Sequence, residues 1–303
     1  MSHAERVGHY ARRVTIDLHT HSSVSDGTTS PADLVRAAAA AGLEVIGLTD
    51  HDTTAGWDEA ATAAQEAGIG LVRGIEVSTR HRGRGVHLLA YLTDPGDQPL
   101  QAELGRIVAG REERVPSMLA RLRELGIPAT EEALAEVSPD NRVTGRPHIA
   151  DLLVRLGAVK DRDEAFARYL ADDGPAFVDR YAADLVAMIE LVTAARGVAV
   201  IAHPWGRGSA SVLDEAALAE LAGAGLAGVE VDHLDHDATT RAELRAIAAR
   251  LDLIVTGASD HHGAGKVGHA LGCETTAPDQ LELILGRAAA LGSPTSLAGK
   301  ELR

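Results

Sequence analysis

Cysteine is nearly absent from the sequence. Cys273 is the one thiol in 303 residues, so no intrachain disulfide can form, as expected of a chain that works in a reducing compartment. Aromatic residues are scarce at 3%, yet 45% of the chain is hydrophobic, which suffices to bury one large core or two smaller ones and excludes a disordered or fibrous protein. Basic residues are outnumbered, 29 Lys and Arg against 44 Asp and Glu, for a formal charge of −15. Diffuse attraction to a long polyanion therefore has no basis at the level of the whole chain. No apolar stretch reaches the roughly 20 residues of a membrane span, and the N-terminus lacks the charged-then-apolar order of a signal peptide. The expectation is a cytoplasmic protein that partners neither a membrane nor long duplex nucleic acid. What is plentiful is histidine, with 14 residues.

Seven short apolar runs read as strands: Val14 to Leu18, Val45 to Leu48, Leu71 to Ile75, Val86 to Tyr91, Val198 to Ala202, Gly228 to Val231 and Leu253 to Thr256. Most are followed by a stretch of helical periodicity, which predicts an α/β fold with a parallel sheet, either closed as a (β/α) barrel or open and doubly wound. Ser30-Pro31 and Asp161 with Glu164 mark helix starts. Between Asp94 and Arg196 the alternation gives way to helices alone, including a long one over Leu100 to Leu125. Residues 96–196 are thus expected to form a helical insertion, or cap, within a barrel made of 14–95 and 197–303. Gly83-x-Gly85 precedes a strand and reads as a hairpin or turn, not a phosphate cradle.

Polar residues collect where the apolar runs end. The first run leads into Asp17-Leu18-His19-Thr20-His21 and Ser25-Asp26-Gly27, the second into Thr49-Asp50-His51-Asp52, and the third into Gly74-Ile75-Glu76. The fourth contains His87; the later ones lead into Ala202-His203-Pro204, Glu230-Val231-Asp232-His233 and Ser259-Asp260-His261-His262. In a parallel barrel such strand ends share one face. A mixture of imidazole and carboxylate without thiolate suits an open site for Zn, Mn or Fe. Nine candidate ligands, His19, His21, Asp26, His51, Glu76, His87, His203, Asp260 and His262, match two or three divalent ions, with Glu76 the natural bridge. By contrast His3, His9, His81 and His236 read as surface residues, Asp58 and Glu59 as helix-dipole partners, and Cys273 as a small core residue.

Those motifs, in this order, resemble the PHP family, named for polymerase and histidinol phosphatase, over about residues 14 to 92 and 197 to 275. The resemblance implies a distorted seven-stranded (β/α) barrel and a dinuclear or trinuclear centre. It implies one metal on His19, His21, Glu76 and Asp260, a second on Glu76, His87 and His203, and a third on Asp26, His51 and His262. His87 is placed by its strand alone, and the Ser-Asp-x-His spacing selects His262 over His261.

Within the insertion, Gly145-Arg146-Pro147-His148 sets a cation and an imidazole at a helix start, where free N–H groups favour an anion. This is either a phosphate clamp or a solvated arginine beside a packed histidine. The segment is similar to that of stand-alone PHP phosphoesterases acting on nucleotides and short RNA. That resemblance implies hydrolysis of 3′,5′-bisphosphorylated nucleotides or of short 5′-phosphorylated oligoribonucleotides. With a hydroxide formed on the metal as the attacking group, residue type and approximate placement suggest Arg146 and Arg207 as phosphate contacts and His148 or His233 as proton donor. Histidinol phosphatase and a metal-dependent amidohydrolase acting on C–N bonds are the alternatives.

Overall fold

The computed structural model describes residues 14–137, 144–293 and 297. The first two units follow the expected alternation. β1 (Ile16–Thr20) leads to α1 (Pro31–Ala40), begun by Ser30, whose Oγ accepts from the Asp33 N–H at 3.1 Å, and by Pro31 in the first turn. β2 (Val45–Leu48) leads to α2 (Trp57–Ala67), which carries Asp58 and Glu59 in its positive first turn.

The next pair departs from the expectation. β3 (Gly70–His81) continues well past Ile75, and β4 (Arg84–Tyr91) runs antiparallel to it, from His81 opposite Arg84 to Gly74 opposite Tyr91. The cause is the two-residue turn at Arg82 and Gly83, with φ of 47° and 83°, a conformation whose twist matches a tight hairpin. The sheet is therefore mixed, not wholly parallel.

Helices then follow in series: α3 (Gln98–Glu124), α4 (Glu131–Val137), α5 (Arg146–Arg155) and α6 (Arg162–Ala165), the last capped by the Asp161 carboxylate and running into a π-turn at Phe166–Leu170. A strand of two residues that the sequence did not announce, β5 (Ala183–Asp184), pairs with β3 at Thr79 and Arg80. The alternation resumes with α7 (Leu185–Ala194), β6 (Val198–Ile201), a 3-10 turn at Gly206–Ser211, α8 (Glu215–Gly223), β7 (Gly228–Asp232), α9 (Ala238–Arg250), β8 (Ile254–Gly257) and α10 (Pro278–Ala290). No helix among the described residues is long and apolar enough to cross a membrane.

The strands lie in the order β1-β2-β3-β4-β6-β7-β8, with β4 antiparallel to both neighbours and the other pairs parallel. The two ends of this path meet. Thr20 bridges His261, the Ser259 N–H donates to Asp17 at 3.1 Å and the Thr276 N–H donates to the Ile16 carbonyl at 2.9 Å, so the sheet is a nearly closed barrel of seven strands.

Apolar burial divides three ways. One cluster packs strand residues such as Val77, Leu88 and Val231 against α1, α2, α7, α8, α9 and the first turns of α3. A second joins Ile16, Leu18, Leu89, Tyr91 and Val200 to Leu281 and Ile284 of α10. The third lies among the consecutive helices, running from Val115 of α3 through Ile149, Leu152 and Leu170 to Ala176. Cys273 lies outside all three and is exposed, because the turn closed by its own N–H onto the Ala270 carbonyl carries the thiol outward.

Candidate metal centre

The strand ends are fixed by carboxylates before any ion is considered. Asp17, fully buried in β1, accepts from the Ser259 and Gly272 N–H groups and so ties β1 to the loop after β8. Asp50, at the end of β2, accepts from Ser22 N (2.8 Å), Ser22 Oγ (2.6 Å) and Ser25 Oγ (2.7 Å) and shapes the loop that presents Asp26. That loop closes at Gly27, where a Cβ would lie 2.4 Å from the His21 carbonyl oxygen; no other residue fits. β4 enters the mouth from the opposite direction, so it delivers His87 from its first half, beside Ser78 of β3.

All nine expected ligands converge. Glu76 Oε2 lies 3.3 Å from His19 Nε2, 3.1 Å from His21 Nε2 and 3.3 Å from His51 Nδ1. Its other oxygen, Oε1, lies 2.8 Å from His87 Nδ1 and 3.1 Å from His203 Nε2. Asp260 Oδ1 completes the first group, 3.5 Å from His19 Nε2 and 3.4 Å from His21 Nε2. Asp26 gathers a third, with Oδ1 3.2 Å from His262 Nε2 and Oδ2 3.5 Å from His51 Nε2. His21 also borders this group. His261 turns away, its Nδ1 against the His269 carbonyl, and His262 is the one of the pair that lies in the donor group of Asp26 and His51.

The donor set fits divalent ions. Ligand atoms bound at about 2.0–2.2 Å to one ion sit about 3.0–3.6 Å from each other along the edges of its coordination polyhedron, and the separations here fall in that range. The imidazoles are also prepared for it. His19 Nδ1 faces Glu230 Oε1 at 3.1 Å, and His262 Nδ1 faces the Asp260 carbonyl at 2.9 Å, so each ring donates from Nδ1 and turns the Nε2 lone pair inward.

The charges respond strongly to one another. Burial would raise the carboxyl of Glu76, yet His51, His87 and His19 hold it well below the ordinary range. Asp26 behaves alike, through His262 and His51, and Asp260 through Lys266 and His19. For His21, burial works against the cation, but Asp260 and Glu76 push it up to about 9. Burial dominates at His51 and pulls it down to about 3. Neutral imidazole beside ionised carboxylate is the form that binds metal.

Around this centre the remaining expected residues separate. His148 is 2% exposed, its Nδ1 accepts from the Gly145 N–H at 3.0 Å, and its Nε2 has no partner. Burial lowers its pKa against the pull of Asp26. Arg146 pairs with Asp172 at 2.7 Å and lies 5.6 Å from the centres of both the Phe166 and Phe177 rings. His233 is fully buried behind Asp260, with Nε2 3.4 Å from Oδ2 and Nδ1 accepting from the Asp235 N–H. The side chain of Arg207 lies outside the described residues, as do His3 and His9.

His81 and His236 are buried, not on the surface as expected. β3 extends far enough for His81 to be covered beside β5, and His236 folds back to the Val231 carbonyl at 2.9 Å.

Sequence reading missed several neighbours. Glu230, fully buried, holds His19 and also accepts from the His203 N–H at 2.9 Å. Lys266 Nζ meets Asp260 Oδ2 at 2.5 Å. Arg111 of α3 joins Asp52 Oδ2 (2.6 Å) and Ser78 Oγ (2.5 Å). Arg162 of α6 grips Asp151 of α5 with two 2.6 Å bonds and reaches the Asp26 carbonyl at 3.4 Å. Glu230 stood in a strand-end motif; the others carry no local signal.

Comparison with known proteins agrees with this geometry. The PHP domain matches residues 17–130. The chain is 35% identical over 257 residues, 85% of its length and 90% of the relative's, to the 3′,5′-nucleoside bisphosphate phosphatase of Chromobacterium violaceum. It is 44% identical over 188 residues, 62% of its length and 68% of the relative's, to a 5′-3′ exoribonuclease of Haemophilus influenzae. A solved structure from Bifidobacterium adolescentis, described as a metal-dependent phosphoesterase, superposes with a TM-score of 0.87 at 36% identity, covering 90% of this chain and 96% of that one.

Proposed function

Since the chain belongs to the PHP family and is a metal-dependent hydrolase of phosphate esters, we propose that its substrates are small phosphorylated nucleotides, 3′,5′-bisphosphonucleotides or short 5′-phosphorylated oligoribonucleotides. The observation that carries this reading is Glu76, whose two oxygens face two different sets of imidazoles and thereby couple adjacent donor groups. His19, His21, Glu76 and Asp260 would hold one ion; Glu76, His87 and His203 a second; Asp26, His51 and His262 a third. Mn, Fe and Zn all suit this mixture of nitrogen and oxygen. Two or three such ions, when bound, supply Lewis acidity and an activated water at neutral pH.

The chain's own residues supply the rest. His148 carries its ring proton on Nε2, because Nδ1 accepts from the Gly145 N–H, and burial keeps the ring neutral, which suits it to donate a hydrogen bond that steadies a leaving oxygen. His233 has its Nε2 proton committed to Asp260, which suits it to position that carboxylate. Arg146 stands at the start of α5 beside His148, and its fork is available to phosphate on exchange with the exposed Asp172. The helical insertion 96–196 acts as a cap that shields the mouth from water.

The test is phosphate release by Mn-loaded protein from adenosine 3′,5′-bisphosphate, histidinol phosphate and a short 5′-phosphorylated RNA, beside an Asp260→Ala control. Release from the bisphosphate or the RNA, lost in the control, is the expected result. Turnover of histidinol phosphate alone would overturn the substrate class.

A further inference from the structure

Beyond the metal centre, α3 carries a second polar feature. A groove of about 450 Å³ lies between the middle of α3 and residues 178–181, lined among others by Glu113, Arg114 and Ser117 on the helix and Asp179, Arg180 and Tyr181 opposite. Arg114 is only 6% exposed, and its Nε has no hydrogen-bond partner. Arg180 donates to the Tyr181 carbonyl at 2.9 Å. The acids nearby are claimed by other arginines: Asp179 by Arg80, Asp172 by Arg146 and Asp52 by Arg111. Glu113 is on the exposed side of the helix.

A buried guanidinium whose neighbouring carboxylates are already engaged by other arginines is costly unless something else adds negative charge. Both groups register that cost. Burial, then the proximity of Arg180, Arg146 and Arg111, pushes Arg114 down to about 8 against the pull of Asp172, and burial with Arg111 pushes Arg180 down to about 9 against the pull of Asp52. Four arginines thus converge on one region of a chain whose net charge is −15.

The region is joined to the metal centre through Arg111. Its partners are Asp52, which follows the ligand His51, and Ser78, which pairs with the ligand His87 across β3 and β4. Arg114 lies three residues further along the same face of α3, about 5 Å along the helix axis.

We infer that Arg114 and Arg180 form a second anion subsite, which binds a phosphate of the substrate that is not hydrolysed. The inference rests on the phosphoesterase reading above and deepens it, for it makes the enzyme select substrates with two phosphates over those with one. Planar forks suit this role, since each offers paired donors to phosphate oxygens, and their charge is already desolvated before the ligand arrives.

The experiment compares the metal-loaded full chain with Arg114→Met and Arg180→Met. The reading is the ratio of kcat/KM for adenosine 3′,5′-bisphosphate to that for p-nitrophenyl phosphate, which has no second phosphate. Each substitution is expected to lower this ratio about 10- to 100-fold, the range for charge-assisted hydrogen bonds, and Arg114→Lys to restore part of it. An unchanged ratio would overturn the proposal. A thermal-shift series with the bisphosphate runs beside it. The ligand should raise the melting temperature of the unsubstituted chain and do so less in either variant; an equal rise in all three also overturns it. If the unsubstituted chain hydrolyses neither substrate, the phosphoesterase reading fails by itself, and the thermal series still decides the subsite. Should Arg114→Met not fold, Arg180→Met on the groove's other wall tests the same subsite.

Discussion

Replacing Glu230 with Gln removes one charge and almost no volume, from a site that no solvent reaches. The native carboxylate accepts from two donors at once, His19 Nδ1 at 3.1 Å and the His203 backbone N–H at 2.9 Å. A glutamine amide has one oxygen and one NH2, and cannot accept at both ends. If its oxygen stays with His203, the NH2 faces His19 Nδ1; the ring must then accept there and carry its proton on Nε2, the atom aimed at His21 and Glu76. If the oxygen stays with His19, the NH2 opposes a buried backbone donor, at a cost of about 1–3 kcal/mol. Either arrangement damages the first metal group, by taking its lone pair or by shifting the His203 backbone. Loss of such a partner behind a ligating histidine weakens metal binding about 10- to 100-fold. Competition with a graded set of chelators, read as metal retained per chain by elemental analysis, measures this directly. A Glu230→Gln protein that retains its metal as tightly as the native chain would refute the idea that Glu230 fixes the His19 tautomer.

Two further outcomes follow from geometry and charge. Gly27→Ala places a Cβ 2.4 Å from the His21 carbonyl oxygen, so it should lower the melting temperature by several degrees and reduce bound metal, whereas Gly42→Ala, where nothing lies within 4 Å of the added carbon, should cost less despite its φ of 86°. His21 has a folded pKa raised to about 9, so its contribution to stability is complete below its ordinary value near 6.5 and is lost as pH rises through 9. Metal-stripped protein should therefore lose stability between those values in denaturant titrations, and metal-loaded protein should not, because the ion takes the place of the proton.

The centre was legible because its ligands sit in short motifs at the ends of apolar runs. His19 and His21 alternate with Thr20, so their spacing indicated that they share a side, while the choice of His262 over His261 came from the resemblance to the family's Ser-Asp-x-His pattern. The direction of β4 was signalled only by the Gly83-x-Gly85 turn before it, since Val86 to Tyr91 itself reads the same in a parallel or an antiparallel strand. The polar alternation after Glu76 hid the rest of β3 and with it the pairing that buries His81. Neighbours such as Arg111 and Lys266 are brought in by the tertiary fold and leave no local trace, whereas Glu230 stood in a strand-end motif whose partner, His19, lies 211 residues away. Cys273 misled for a related reason: its place after the seventh strand suggested packing, while a turn there exposes it.

Arg162 links two parts of the chain that sequence reading separated. It belongs to the helical insertion, is locked there by Asp151, and yet reaches the backbone carbonyl of Asp26 and fills the space where Gly265 has no side chain. A Cβ on Gly265 would lie 2.4 Å from the Arg162 guanidinium. The insertion is consequently not an exchangeable module. Transplanting the corresponding segment from another barrel into this one would succeed only if arginine, aspartate and glycine travelled together, so these three positions are constrained as a set by the seam itself.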